Sequence, residues 1–190
     1  MTRTRPFLRI AVLGAECTGK THTVQYLAQQ LGNYPVQVIV YPELLRIWCN
    51  QHQRTPREDE QHLLLQENIR QLTTPPAPHE LPTVVLHDTA PLQTAAYHWH
   101  YFGSDALDAA ALRAHQHVDL TLLMAPNMPY ENTGDWQRDG AMYQMPVHQR
   151  LLYLLAQTTR PWVLVQGMEK NRLEHAWQAV EQLPSVSKPA

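Results

Sequence analysis

Gly14-Ala15-Glu16-Cys17-Thr18-Gly19-Lys20-Thr21 matches the spacing G-x-x-x-x-G-K-[ST], with an apolar run before it and a helical pattern after it. That strand–loop–helix context is what the pattern needs to act as a phosphate cradle. Glycines let the backbone curl until successive N–H groups converge on phosphate oxygens. The helix that starts at the loop adds its positive end. In this pattern Lys20 is expected to reach the β- and γ-phosphates and the Thr21 hydroxyl to ligate Mg2+. Gly14, Glu16, Cys17, Thr18, Gly19, Lys20 and Thr21 are therefore the expected contacts of a nucleoside triphosphate such as ATP. Cys17 has two readings: a small residue that fits the loop, or a thiol whose pKa is lowered by nearby N–H groups and Lys20.

The rest of the chain supplies the sheet that such a loop requires. Five short apolar runs read as strands: 9–13, 36–41, 83–87, 120–124 and 162–165. Most are near-continuous and β-branched, the pattern of parallel strands covered on both faces. Helical patterns fall between them, at 19–31, 92–101, 105–117, 147–157 and 171–183. A further helix to about Leu72 opens at a capping box, Thr55-Pro56-Arg57-Glu58. The alternation predicts an α/β fold, a three-layer sandwich around a five-stranded parallel sheet. One domain over residues 9–183 is expected, with tails at 1–8 and 184–190. The polar, turn-rich segment at about 126–146 reads as a lid.

Composition bounds the function. The 190 residues carry a formal net charge of -2, with 44% hydrophobic and 17% charged residues. That argues against a nucleic-acid binder working by bulk positive charge. No apolar run approaches the roughly 20 residues that span a bilayer, and the reading is a cytoplasmic protein. Two cysteines make no disulfide framework, and eleven histidines show no metal-ligand spacing, so surface or pocket-edge histidines are expected.

In open α/β sheets ligands bind at the carboxyl ends of strands. Glu43 follows the second strand, with Arg46 one turn later, and Asp88 follows the third. A kinase acting on a hydroxyl needs a carboxylate for the proton and an acid for Mg2+. Glu43 and Asp88 could divide these roles. The competing readings are an ion pair for Glu43 with Arg46 and a helix N-cap for Asp88 ahead of Pro91. Arg138 and Arg150, and less strongly Arg113, are candidates for a lid cation. Tyr97, Trp99, Tyr101, Phe102 and Trp136 could stack on a nucleobase or pyridine ring or simply pack the core.

In order along the chain, these segments resemble the ribosylnicotinamide kinase domain of NadR-type proteins. The loop is similar to that family's G-x-E-S-[ST]-G-K-[ST], and Glu43 with Arg46 to its E-x-x-R. Asp59 and Gln66 fit its D-x(6)-Q, and Asp88, Thr89, Thr94 and Tyr97 its D-T-x(4)-T-x-x-Y. Trp136 to Gly140 is similar to its P-W-x-x-D-G. Cys17 stands where the family has serine, and Met142 where it usually has arginine. The resemblance implies a nucleoside-kinase-like fold and transfer of the ATP γ-phosphate to the 5′-hydroxyl of nicotinamide riboside. It places phosphates and Mg2+ at Lys20 and Thr21, an acidic centre at Glu43 and Asp88, and the pyridine ring near Tyr97 and Trp136, with Asp88 helping to hold Mg2+ and Arg46 at the substrate. The implied partners are ATP and a small nucleoside. A homo-oligomer is compatible with the chain, and neither membrane nor nucleic acid is required. A kinase for another nucleoside or nucleotide, and an ATP-binding switch that transfers nothing, are the competing readings.

Overall fold

The computed structural model describes residues 7–128, 140–184 and 186. Five parallel strands form one sheet: β1 (Phe7–Gly14), β2 (Gln37–Tyr41), β3 (Thr83–Asp88), β4 (Leu120–Met124) and β5 (Trp162–Val165), in the order β2-β3-β1-β4-β5. β1 is central. Its residues Ile10 and Val12 point into one core and Ala11 and Leu13 into the other, and all four are fully buried. A strand buried on both faces cannot alternate polar and apolar residues, which is why these strands read as continuous apolar runs.

Helices α1 (Lys20–Leu31) and α7 (Glu169–Glu181) cover one face; Val24, Leu27 and Leu31 meet Ala176 and Val180 over the even-numbered residues of β1. On the other face lie α3 (Glu58–Thr73), α4 (Pro91–Phe102), α5 (Asp108–His115) and α6 (Gln144–Leu155), with Leu65, Leu72, Leu92, Leu151 and Leu155 in the core. Truncating one such leucine to alanine costs about 2–5 kcal/mol. The short α2 (Leu44–His52) follows β2. Among the described residues no helix is long and apolar enough to cross a membrane.

The structure corrects several expectations. Helix α2 was not anticipated. Its nine residues include one buried side chain, Cys49, too few for a periodic signal. The expected cap of α3 moves two residues along: Arg57 is the N-cap, and the Glu60 carboxylate accepts from its backbone N–H at 2.8 Å. The expected lid shortens at its far end, where Ala141–Tyr143 form a 3-10 turn and Gln144 to Pro146 already belong to α6. Residues 129–139 of that segment lie outside the described residues. The C-terminal boundary moves outward, because Val186 is 1% exposed and packs in the core under α1 and α7. Four of the eleven histidines are not peripheral: His87, His98, His115 and His148 are buried, while the rest are exposed or half-buried. Burial, then the charge of Arg9, lowers the His87 pKa to about 4; burial, then Arg160, lowers His115 to about 4.

Candidate active site

The phosphate loop leaves the carboxyl end of β1, where the sheet order reverses direction. Gly14 has no room for a side chain: a Cβ there would stand 2.7 Å from Thr18 Oγ1 and 2.9 Å from Met124 Cβ. Gly19 is the N-cap of α1 at φ 77, a left-handed conformation that glycine adopts without strain. Cys17, half-buried, takes the same region at φ 54. Thr18 Oγ1 donates to the Ala15 carbonyl at 2.8 Å, and Lys20 Nζ donates to the same oxygen at 3.0 Å. Lys20 is thereby folded back across the loop.

The loop is also gripped from outside. Gly14 N–H donates to Gln93 Oε1 of α4 at 2.9 Å, and Gln144 Nε2 of α6 donates to the Glu16 carbonyl at 2.8 Å. From α7, Arg172 Nε donates to the Thr18 carbonyl at 3.2 Å. Its other nitrogens reach Asn127 Oδ1 at 2.6 Å, the Gly167 carbonyl at 3.1 Å and the Ala125 carbonyl. Arg172 is 2% exposed and meets no carboxylate among the described residues, so burial pushes its pKa below the usual arginine value. One buried cation therefore ties the loop to the chain just after β4 and just after β5.

The two acids lie where the strands end. Asp88 Oδ2 accepts from Thr21 Oγ1 at 2.6 Å, and its Oδ1 is buried without a hydrogen-bond partner among the described residues. The N-cap reading of Asp88 is set aside, because Ala90 caps α4. Thr89 sits at φ 79, an uncommon conformation for a β-branched residue, and its N–H donates to the Val12 carbonyl at 3.1 Å. Strain of this kind concentrates at functional sites. Glu43, 5% exposed, pairs with Arg46 at 2.9 Å, and Arg46 Nη1 donates to Thr21 Oγ1 at 3.2 Å. Glu43, Arg46, Thr21 and Asp88 thus form one connected array beside the phosphate loop.

A narrow cleft adjoins this array. Glu43 and Leu45 form one wall, Gln61, Leu64 and Asn68 of α3 another, and Thr89, Gln93, Thr94 and Tyr97 the third. Free space for water-sized occupants is about 10 Å³, so a larger guest enters only as the walls part. Asn68 Nδ2 donates to Thr94 Oγ1 at 3.0 Å. Tyr97, 3% exposed, stacks on Tyr101 at 6.0 Å between ring centres.

Not every candidate is here. Arg150 pairs with Asp108 of α5 and lies over the rings of Trp99 and Tyr153, 5.0 and 4.8 Å from their centres. It lines neither the loop nor the cleft, and its expected part as a lid cation is corrected on that ground. Trp136 and Arg138 lie outside the described residues. Asp59 and Gln66 are exposed; the residues of α3 that reach the cleft are Gln61, Leu64 and Asn68.

Sequence reasoning missed Gln61, Asn68, Gln93, Gln144 and Arg172. A signal existed for three of them. Gln61, Leu65, Asn68 and Leu72 form the buried stripe of α3, and Arg172, Ala176 and Val180 that of α7. A polar residue on an apolar stripe is buried, and a buried polar residue has a partner to find.

A family model described as an AAA domain matches residues 9–172. A solved NadR protein in complex with NR is similar at TM-score 0.74 and 19% identity, covering 96% of this chain and 53% of that one. NadR in complex with NAD and AMP-PNP gives TM-score 0.66 at 19% identity, with 96% and 51% covered. Deoxyadenosine kinase from M. mycoides, with products dcmp and dcdp bound, gives 0.62 at 12%, with 93% and 100% covered. The chain spans about half the length of the NadR chains it matches. At these identities the likeness is one of fold, and at that level it meets the resemblance read from the motifs. A search of curated proteins finds no match.

Proposed function

Since the chain belongs to the AAA domain family, we propose that it is an ATP-dependent phosphotransferase whose acceptor is the 5′-hydroxyl of a nucleoside, nicotinamide riboside first among them. The observation that carries the choice of acceptor is the charge of the cleft. Its described lining holds one carboxylate, Glu43, and no lysine or arginine. A nucleotide acceptor brings a phosphate that calls for cations. A neutral or positively charged nucleoside does not, and nicotinamide riboside carries its charge on the pyridinium ring.

The roles follow from position. The loop amides and Lys20 hold the β- and γ-phosphates, Lys20 exchanging the Ala15 carbonyl for phosphate oxygen. Thr21 and Asp88 are hard oxygen donors in contact, and the unpartnered Asp88 Oδ1 leaves one site open, a donor set that fits Mg2+. When bound, Mg2+ supplies charge neutralisation at the phosphates. Glu43 faces the cleft and accepts the proton of the acceptor hydroxyl. That hydroxyl oxygen bonds to the γ-phosphorus as the bond to the β–γ bridging oxygen breaks, leaving ADP. Arg46 holds Glu43 in place and links it to Thr21. The fold match to a NadR structure solved with NR supports this choice of acceptor.

The test is ATP consumption with Mg2+, with and without nicotinamide riboside. Stimulation accompanied by nicotinamide mononucleotide is expected. Tight ATP binding with no stimulation would overturn the acceptor and leave the phosphate loop assigned.

A further inference from the structure

Two amides in the cleft carry hydrogen-bonding atoms that the described protein does not satisfy. Gln93 is 2% exposed, and its Oε1 accepts from Gly14 N–H. Only the amide oxygen can answer an N–H, so the plane of this amide is fixed and its Nε2 is directed away from the loop. That Nε2 is buried with no partner among the described residues, on a side chain that lines the cleft. Gln61, also 2% exposed, lines the same cleft with neither Oε1 nor Nε2 bonded. Of the neighbouring polar side chains, Asn68 donates to Thr94, and Glu43 is ion-paired with Arg46 while its Oε2 makes no hydrogen bond among the described residues. Folded proteins rarely leave such atoms unmet, and several on side chains that line one cleft point to a ligand that meets them.

We infer that Gln93 serves both substrates with one amide: Oε1 holds the phosphate loop at Gly14, and Nε2 donates to an oxygen of the acceptor. Gln61 presents one donor and one acceptor, the complement of a carboxamide or an equivalent edge on a base. The acceptor class is then a nucleoside, uncharged or cationic, whose base carries such an edge. A base without one leaves the Gln61 amide buried and unpaired, and the site rejects it for that reason. This assignment rests on the acceptor-cleft reading above.

The test reads binding, separately from transfer. Nicotinamide riboside and N-ribosylpyridinium, the same cation without the carboxamide, are titrated into the full chain by calorimetry, alongside AMP-PNP with Mg2+. The unsubstituted protein is expected to prefer nicotinamide riboside by roughly ten- to hundredfold. Gln61→Met should abolish that preference, leave AMP-PNP affinity unchanged and raise the melting temperature, because it removes buried polar atoms that nothing satisfies. A purely structural glutamine would lower it. Gln93→Met should weaken both nicotinamide riboside and AMP-PNP, since both ends of the amide are lost. Unchanged nicotinamide riboside affinity in Gln61→Met or in Gln93→Met overturns the assignment, and so does binding of neither nucleoside to the unsubstituted protein. Discriminating binding without phosphoryl transfer would instead refute the kinase reading and leave the assignment standing.

Discussion

Around the phosphate loop, polar groups are met from several directions: Gly14 N–H by Gln93, the Glu16 carbonyl by Gln144, the Thr18 carbonyl by Arg172. In the cleft beside it, three amide atoms of Gln61 and Gln93 meet nothing among the described residues. The loop is finished before its ligand arrives, as a site must be when its backbone N–H groups do the binding. The cleft is left unfinished, and in the proposed function its side chains are satisfied by the guest. Preorganisation on one side and deferred bonding on the other suit a protein that receives a constant phosphate donor and selects an acceptor.

Substitutions can separate the two regions. The largest effect is expected from Lys20→Ala, which should cut transfer by roughly a thousandfold or more while the circular dichroism spectrum stays unchanged; near-normal turnover would remove the loop from the chemistry. Next comes Glu43→Gln, expected to lower turnover about a hundredfold with AMP-PNP affinity retained. If the proton acceptor is Asp88 instead, Glu43→Gln will have little effect on turnover.

Arg172→Met tests whether the finished side depends on its brace. It leaves the carbonyls of Thr18, Ala125 and Gly167 unanswered and should cost about 3 kcal/mol in urea unfolding, with weaker AMP-PNP binding. A loss of nicotinamide riboside affinity alone would contradict the division drawn here.

Acid should weaken the platform under both regions. His87 and His115 have folded pKa values of about 4 against an ordinary 6.5. Between these values the unfolded chain takes up protons that the folded chain refuses. Their stabilisation is therefore complete above about pH 6.5 and declines as pH falls toward 4, by about 2 kcal/mol per histidine at pH 5. Urea midpoints at pH 8 and pH 5 check this, and His115→Asn should flatten the slope. The smallest effect belongs to Arg150→Ala: about 1 kcal/mol of stability, from its ion pair and ring contacts, and turnover within twofold. A hundredfold loss of turnover would restore it to the site.

The same contrast explains what could be read from the sequence. A loop that binds with its backbone needs glycines at fixed spacing, and Gly14 and Gly19 announce it. Central strands buried on both faces show as apolar runs, and β4 and β5 were legible to the residue. Glu43 and Asp88 could be placed beside the loop because each stands at the carboxyl end of a parallel strand, on the edge of the sheet from which the loop leaves. The cleft is read by side chains on α3 and α4, and no spacing rule marks them. Matching α3 to a family pattern pointed to Asp59 and Gln66, which are exposed, two positions out of phase with Gln61 and Asn68. Following the helix's own buried stripe would have found the face that lines the cleft. The start of α3 was missed for a similar reason: Thr55 to Glu58 has the letters of a capping box, but Glu60 makes the bond.

The strand order has a consequence for the chain's synthesis. β1 lies between β3 and β4, so the strand that carries the loop is made first and enclosed late. About 110 residues separate the end of β1 at Gly14 from the end of β4 at Met124. At roughly 5–20 residues per second, a ribosome takes on the order of 5–20 seconds to deliver that second neighbour. Through that interval the apolar run Ile10 to Leu13 lacks its β4 neighbour, and until β3 is made it lacks both.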